Sequence, residues 1–535
     1  MSAAAGSPAG PVEPGAPAPA ISSMAPGAVA PAATTPDARR RALITISVML
    51  ASIMQALDNT IANVALPHIQ GSLSATQDQM TWVLTSYIIA AAVMTPLSGW
   101  LASRFGRKSV FLISIVGFTV ASALCGIAQS LPEIVLARLM QGLCGAALVP
   151  LSQAVLLDIN PPQNHAKAMA IFVMGVTVGP ILGPALGGWL TENYDWRWVF
   201  YINVPFGLLS FLGVLAFLSE TPMRRLRFDF FGFTAISLAI GAFQLMLDRG
   251  QLMDWFSSTE IWIEATVAGT AFYLFIVHTL TAKEPFISPA LFKDRNFFAG
   301  SIFIFIVGVV LFATLALLPP LLQDLMNYPV VTTGLVTAPR GIGTLVAIIV
   351  YSRFLVGIDA RVVIAVGLAL TAISLWQMTG FDLQMGSSSI VWSGVTQGLG
   401  TGFVYVPLAT ITFGTLASQL RNEGTAVFNL LRNVGSSVGI SVVETLLTRN
   451  TQIMHATLAE HVTPYSAVLR SQMPAALASG HGLATLNGTL DAQAAMIAYD
   501  NDFMLMMLLT LLAMPLILML RPAKTPSGAP AVVAE

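Results

Sequence analysis

Charged side chains are scarce in this chain. Asp, Glu, Lys and Arg make up 10% of its 535 residues, where an ordinary soluble domain carries roughly 25%. So little charge cannot cover a water-facing surface of this size. A net charge of −1 also excludes the basic footprint of a nucleic-acid-binding protein. There are only two cysteines, Cys125 and Cys144. They sit in apolar segments at different depths, so no disulfide is expected. The six histidines are scattered without metal-ligand spacing. No Gly-rich phosphate-binding run with its Lys-Ser/Thr is present, which argues against an ATP-driven pump. No nucleophile–base arrangement calls for an enzyme, and no cofactor is expected. The N-terminus lacks a basic stretch followed by a short apolar run, so no cleavable signal peptide is expected.

What the chain has instead is long apolar runs, and 55% of its residues are hydrophobic. A helix needs about 20 mostly apolar residues to cross a bilayer. Fourteen segments qualify, the first near 43–65, the fifth near 168–190, the twelfth near 387–412 and the last near 502–520. The expected fold class is an all-α membrane protein, because backbone exposed to lipid must satisfy its own hydrogen bonds. Residues 1–41 are rich in Ala, Pro, Gly and Ser and read as a disordered tail. They end in Arg39, Arg40 and Arg41. With a cytoplasmic N-terminus, eighteen of the 25 Lys and Arg fall on the inside. That asymmetry, with an even number of spans, predicts both termini in the cytoplasm.

The chain also resembles itself. Gln141-Gly142-Leu143 precedes Val149-Pro150 in the fourth span, and Gln397-Gly398-Leu399 precedes Val406-Pro407 in the twelfth. Gly175 and Gly179 in the fifth span echo Gly435 and Gly439 in the thirteenth. Each pair is eight spans apart. Two six-helix halves separated by two extra helices fit that spacing. The expected division is a tail at 1–41, a first half at 42–220, two linker helices at 221–283, a second half at 284–520 and a cytoplasmic tail at 521–535. Within the second half, 448–501 is too polar to span and reads as an outside loop, with helical-looking stretches such as 491–499 that suit the membrane face.

Against this apolar background the intramembrane charges stand out. Asp58 lies in hydrocarbon, where a carboxylate is costly and points to ion or substrate handling. By helix rise, Asp58 and Arg138 both lie roughly 9–10 Å below the outer boundary, so the two could meet. An arginine nearby favours the ionised carboxylate and desolvation favours the protonated one. A static ion pair that fixes helix packing is the alternative. Gln141 lies one turn from Arg138 and suits either an interhelical hydrogen bond or a substrate contact. Asn59, Asn63, Trp82, Tyr87, Gln397 and Arg432 are candidates for lining a substrate cavity. Arg340 is a further deep arginine. The small residues Gly175, Gly179, Gly183 and Gly187, with Pro180 and Pro184, allow close packing and a bend that suits a hinge. Gly99, Ser103, Arg104, Gly106 and Arg107 form a tight basic loop between spans two and three, suited to latching a cytoplasmic gate.

Taken together, residues 57–67, 99–108, 136–142, 175–188 and 196–205 resemble the motifs of the major facilitator superfamily, more narrowly its fourteen-span drug:proton antiporters of the EmrB/QacA type. The resemblance implies a major facilitator fold and export of hydrophobic or amphipathic compounds in exchange for protons. It implies Asp58 as proton carrier with Arg138 as its partner. It places the protein in a bacterial cell or inner membrane. It extends to a periplasmic adaptor protein and an outer-membrane channel as partners, besides drugs, protons and lipid. One departure is Ser103, where the family's loop motif usually has an acid. Two other readings stand beside it: a dedicated exporter or importer of one metabolite, and a non-transporting membrane sensor.

Overall fold

In the computed structural model, residues 37–221, 223, 227–355, 357–462 and 480–521 are described. Among them the chain is entirely helical. Fourteen long helical elements follow one another: α1 Ala38–Leu73, α2 Gln77–Phe105, α3 Arg107–Ile127, α4 Leu131–Ile159, α5 His165–Asn193, α6 Trp198–Phe217 and α7 Phe230–Arg249. Then come α8 Thr259–Thr281, α9 Arg295–Leu325, α10 Val331–Leu355, α11 Ala360–Met378, α12 Ser387–Gly414, α13 Arg421–Glu460 and α14 Gly480–Ala513. Among the described residues, twelve helices are long and apolar enough to cross a membrane. Large apolar side chains such as Ile113, Leu136, Leu280 and Leu512 face outward. A soluble monomer rarely tolerates such an apolar exterior, whereas lipid requires it.

Local chemistry sets the helix starts. Thr76 and Gln79 form a reciprocal capping box at α2, satisfying two N–H groups that a helix end leaves free. Asp229, Ser258, Asp294 and Asp359 accept from the first-turn N–H groups of α7, α8, α9 and α11. Between α2 and α3 the chain turns on Gly106, at φ +88°, a conformation that a side chain disfavours.

The helices run beyond the apolar segments in three places. α1 begins at Ala38, so Arg39, Arg40 and Arg41 belong to its first turn and not to a tail. α13 continues to Glu460 and α14 begins at Gly480. Much of 448–501, expected as a loop, is therefore helix. Hydropathy marks the lipid-facing part of a helix, and helical hydrogen bonding continues wherever the backbone allows. Residues 1–36 and 522–535 of the expected tails, and 463–479 of the expected outside loop, lie outside the described residues.

The first six helices pack on one another and so do the last six, while α7 pairs with α8 and also rests on α2. Repeated glycine contacts appear in both sets. A Cβ at Gly179 would stand 2.6 Å from the Ala56 carbonyl oxygen, and one at Gly187 2.9 Å from the Ile61 side chain. Thr60 Oγ1 donates to the Gly179 carbonyl at 3.0 Å. In the second set, Gly435 and Gly439 lie against the α9 backbone at Phe305 and Val309. The glycine face of α5, with Gly175 and Gly183, thus holds α1, the helix of Asp58. Other parts of α5 pack on α10 and α12 of the second set. The side chains of Pro180 and Pro184 lie outside the described residues.

Gly179→Ala is expected to lower the melting temperature of the purified protein, because the added methyl has only α1 backbone to press on. Overpacking of this kind costs about 1–3 kcal/mol. Gly71, whose Cβ would have nothing within 4 Å, is the control, and Gly71→Ala is expected to be neutral. Equal melting temperatures for Gly179→Ala and wild type would show that α1 and α5 are not in close contact.

Candidate functional site

The centre of the first six helices is a closed polar network in an apolar bundle. Asp58 on α1 and Arg138 on α4 are 0% and 1% exposed. Arg138 Nη1 donates to Asp58 Oδ2 at 2.7 Å and to Gln141 Oε1 at 2.8 Å. Its Nε donates to the Val83 carbonyl at 3.2 Å. The other carboxylate oxygen, Asp58 Oδ1, accepts from Gln141 Nε2 at 2.8 Å and from Asn203 Nδ2 at 2.7 Å. Asn203 Nδ2 also donates to Ser122 Oγ at 2.9 Å. Cys125 Sγ approaches Gln141 Oε1 at 3.7 Å. The Tyr87 ring lies under the guanidinium, 4.3 Å from its carbon, a favourable site for a cation.

Helix geometry brings these groups together. Arg138 and Gln141 are three residues apart and so share a face of α4. Asn203 stands in the first turns of α6 and reaches in from that end of the helix. Ion pair and amide donors leave both carboxylate oxygens satisfied, which a buried charge requires. The expected meeting of Asp58 and Arg138 is present, with Gln141 and Tyr87 in the same cluster. None of Asn203, Ser122 and Cys125 is a predicted site residue, although Asn203 lies in the 196–205 motif. The signal for Asn203 was there: an amide at the outer start of an apolar span, at the depth of Asp58.

The cavity candidates divide. Asn59 and Asn63 are exposed, as is Trp82, whose ring lies 5.8 Å from the Arg249 guanidinium. Tyr87 and Gln141 are buried in the network, not open to a cavity. Gln397 is buried in the second set of six and donates to Thr314 Oγ1 at 3.2 Å. Arg432 Nη1 donates to the Tyr405 hydroxyl at 3.1 Å, and its Nη2 to Asn433 Oδ1 at 3.3 Å.

A second ionic cluster joins the two sets of six at the other end of the helices. Asp158, near the end of α4, receives Arg107 Nη1 at 2.7 Å and Arg421 Nη1 at 2.6 Å. Arg107 also donates through Nε and Nη2 to Asn422 Oδ1, at 3.0 and 2.6 Å. A Cβ at Gly99 would stand 2.9 Å from Glu423 Cα, so α2 and the start of α13 are in backbone contact. Ser103 stands there too: its Oγ donates to the Gly99 carbonyl at 2.9 Å and accepts from Asn422 Nδ2 at 3.4 Å. Arg104 is half-buried at the end of α2. Behind the loop, Glu220 accepts from the Lys108 and Ser109 N–H groups and the Ser109 hydroxyl at 2.7–3.0 Å. Partial burial pushes the Glu220 carboxyl up, but these donors outweigh it and hold it below the usual carboxylate range. Neither Asp158 nor Glu220 was predicted as a partner of the loop. Among the described residues no cluster of His, Cys, Asp and Glu fits a metal ion.

Comparison with known proteins gives this geometry a family. Residues 48–440 match the Major Facilitator Superfamily model. The chain is 37% identical over 487 residues to the fatty acid resistance protein FarB of Neisseria gonorrhoeae, covering 90% of this chain and 96% of that one. It is 38% identical over 427 residues to the multidrug export protein EmrB of Escherichia coli K12, covering 79% and 83%. In structure it is similar to the proton:xylose symporter XylE, with a TM-score of 0.57 at 13% identity, covering 88% of this chain and 95% of that one. The chain belongs to the major facilitator superfamily of transporters, in the group that includes EmrB and FarB.

Proposed function

We propose that this multi-pass membrane protein is a proton-coupled antiporter that exports hydrophobic or amphipathic compounds by alternating access. The observation that carries the reading is the Asp58 network. A static link between helices would be served as well by apolar packing, since buried ion pairs are poor stabilisers. A carboxylate that exchanges a proton needs what surrounds Asp58: a cation to favour the anion and a dry wall to favour the acid. Protonating Asp58 frees Arg138, Gln141 and Asn203 from one charge. Their helices, α4 and α6, then feel a changed balance against α1. The names of the relatives support drug-like cargo.

The Asp158 cluster supplies the other half of the cycle. Arg107 comes from the first set of six and Arg421 from the second, so the shared carboxylate closes one side of the transporter. The distribution of Lys and Arg supports placing this side, and both termini, in the cytoplasm of a bacterial cell with the protein in its inner membrane. The two sets of six, 42–220 and 284–520, act as the moving halves, with 221–283 as an inserted pair. A periplasmic adaptor and outer-membrane channel fit the same reading and would co-purify with the protein from crosslinked cells.

The reading is tested in a host stripped of its own pumps. Expression of the protein is expected to raise resistance to several unrelated amphipathic compounds. Adding any of them to energised everted vesicles is expected to release protons. Resistance to one metabolite only would favour a dedicated carrier. No proton movement with any compound would refute proton-coupled export.

The gate has its own test. Ser103→Asp places a carboxylate beside Asn422 and the N-terminus of α13, where the helix dipole favours it by about 0.3–1 kcal/mol. That is expected to shift a balanced equilibrium about two- to fivefold toward the form closed on this side. The readout is labelling of single cysteines in the two vestibules, in a background carrying Cys125→Ser and Cys144→Ala. The outer site should gain reactivity and the inner one lose it. The opposite shift would remove Ser103 from the gate.

A further inference from the structure

The two sets of six helices place equivalent residues at equivalent contacts, and this locates the counterpart of the Asp58 network. A Cβ at Gly142 would run into the Tyr87 carbonyl, and one at Gly398 into the Arg340 carbonyl. Arg340 on α10 therefore stands where Tyr87 stands on α2. Gln141 and Gln397 precede the two glycines. Three residues before each glutamine come Arg138 in α4 and Gly394 in α12. The second set thus lacks the α12 arginine and gains one from α10. Gly394 leaves room for it: its Cβ would lie 3.6 Å from Arg340 Cβ.

The carboxylate has no counterpart. Arg340 is 8% exposed. Its Nη2 reaches only the Leu311 carbonyl, at a long 3.4 Å, and its Nη1 is buried without a partner. No acid pairs with it among the described residues. A guanidinium stays charged in proteins, so this is an uncompensated cation in an apolar bundle, a costly arrangement that marks a ligand pathway. Nine residues separate it from the start of α10, about 14 Å along the helix. That depth is near the middle of a hydrocarbon layer about 30 Å thick, beyond the reach of a lipid headgroup. Next to it, Leu311 and Gln397 line a narrow cavity with Val307, Val310, Leu368 and Val404. The Gln397 Oε1 is also unpartnered.

We propose that Arg340 is an anion-recognition site of the second half, binding the carboxylate of an amphipathic monoanion whose apolar part packs on the Val307–Leu311 side of the bundle. The assignment of that anion as cargo rests on the exporter reading above. A monoanion neutralises the Arg340 guanidinium, whereas a dianion would leave net charge in the bundle. Carboxylate geometry matches the planar fork. The first half thus keeps its own carboxylate for the proton, and the second half takes its carboxylate from the ligand.

The test is equilibrium binding of labelled dodecanoate and of neutral dodecanol to the full chain in phosphatidylcholine nanodiscs, at a pH well above the carboxyl's own range. Wild type is expected to prefer dodecanoate over dodecanol by about tenfold or more, the scale of one charge-assisted hydrogen bond. Arg340→Gln is expected to bring the ratio near one, and Arg340→Lys to leave it in between. The ratio within each protein guards against a general loss of fold. No preference in wild type, or an unchanged ratio in Arg340→Gln, overturns the proposal. Binding needs no transport, so the site and the exporter reading fail separately: a preserved ratio beside vesicles without proton release would count against export alone.

Discussion

Asp58→Asn is expected to abolish substrate-driven proton release from everted vesicles while the protein still inserts, folds and binds substrate. Asparagine has the shape of the protonated acid and cannot give up a proton. A cycle that protonates Asp58 already passes through a state in which Arg138 faces a neutral group, so the bundle must tolerate one. The remaining acceptors of Arg138 stay in place: the Val83 carbonyl at 3.2 Å, Gln141 Oε1 at 2.8 Å and the Tyr87 ring. The expected loss of coupled release is at least about a hundredfold, the extent to which removal of an acid–base group suppresses a step. Amounts of folded protein, read by size-exclusion of detergent extracts, should change little. Proton release at the wild-type rate would remove Asp58 from the mechanism. A variant that never folds would instead mark the pair as structural.

The difference between Asp58 and Asp158 shows what a sequence of this kind discloses. Asp58 was legible because it breaks a long apolar run, and its depth could be counted from a helix end. Arg138 could be counted the same way, so the pair followed from arithmetic. Asp158 ends an apolar run beside the aqueous boundary, where a carboxylate is unremarkable in sequence. Its partner Arg421 lies 263 residues away, and nothing local says that the end of α4 meets the start of α13. Asn422, which receives two bonds from Arg107, is hidden for the same reason. The all-helical fold was legible in the long apolar segments, and the start of the last helix in part at 491–499, while the extension of α13 to Glu460 was not. Polar sequence can be helical outside lipid, and hydropathy is blind to that. The repeat was legible as Gln-Gly pairs, and Gly142 and Gly398 make like contacts with the Tyr87 and Arg340 carbonyls. The place of Arg340 was not legible, because its counterpart at the Gln-Gly contact is a tyrosine. The glycines of α5 were read as packing residues and a hinge. Their faces meet α1 within the first set, since a backbone as close as Ala56 accepts nothing larger.

Arg138→Ala is expected to cost more stability than any other single change in the network, and a second substitution is expected to return the stability without the transport. Removing the guanidinium leaves the Asp58 carboxylate fully buried with only the amides of Gln141 and Asn203. The Val83 carbonyl loses its donor as well. Breaking one side of a buried pair costs about 3–5 kcal/mol, which should appear as a large drop in melting temperature and in folded yield. Arg138→Lys keeps a point charge but not the planar fork that serves Asp58, Gln141 and Val83 at once, so it should recover only part. Combining Asp58→Asn with Arg138→Gln removes both charges and leaves amides that can bond one another. Replacing a whole buried pair by neutral groups is often tolerated, and the melting temperature should return most of the way to wild type. Coupled proton release should stay at background, because the network then has no carboxylate to carry the proton. If Arg138→Ala melts like wild type, the guanidinium does not hold the carboxylate. If the double variant regains proton release, the proton travels by another route. Only the combination of restored fold and absent coupling separates a pair kept for chemistry from one kept for packing.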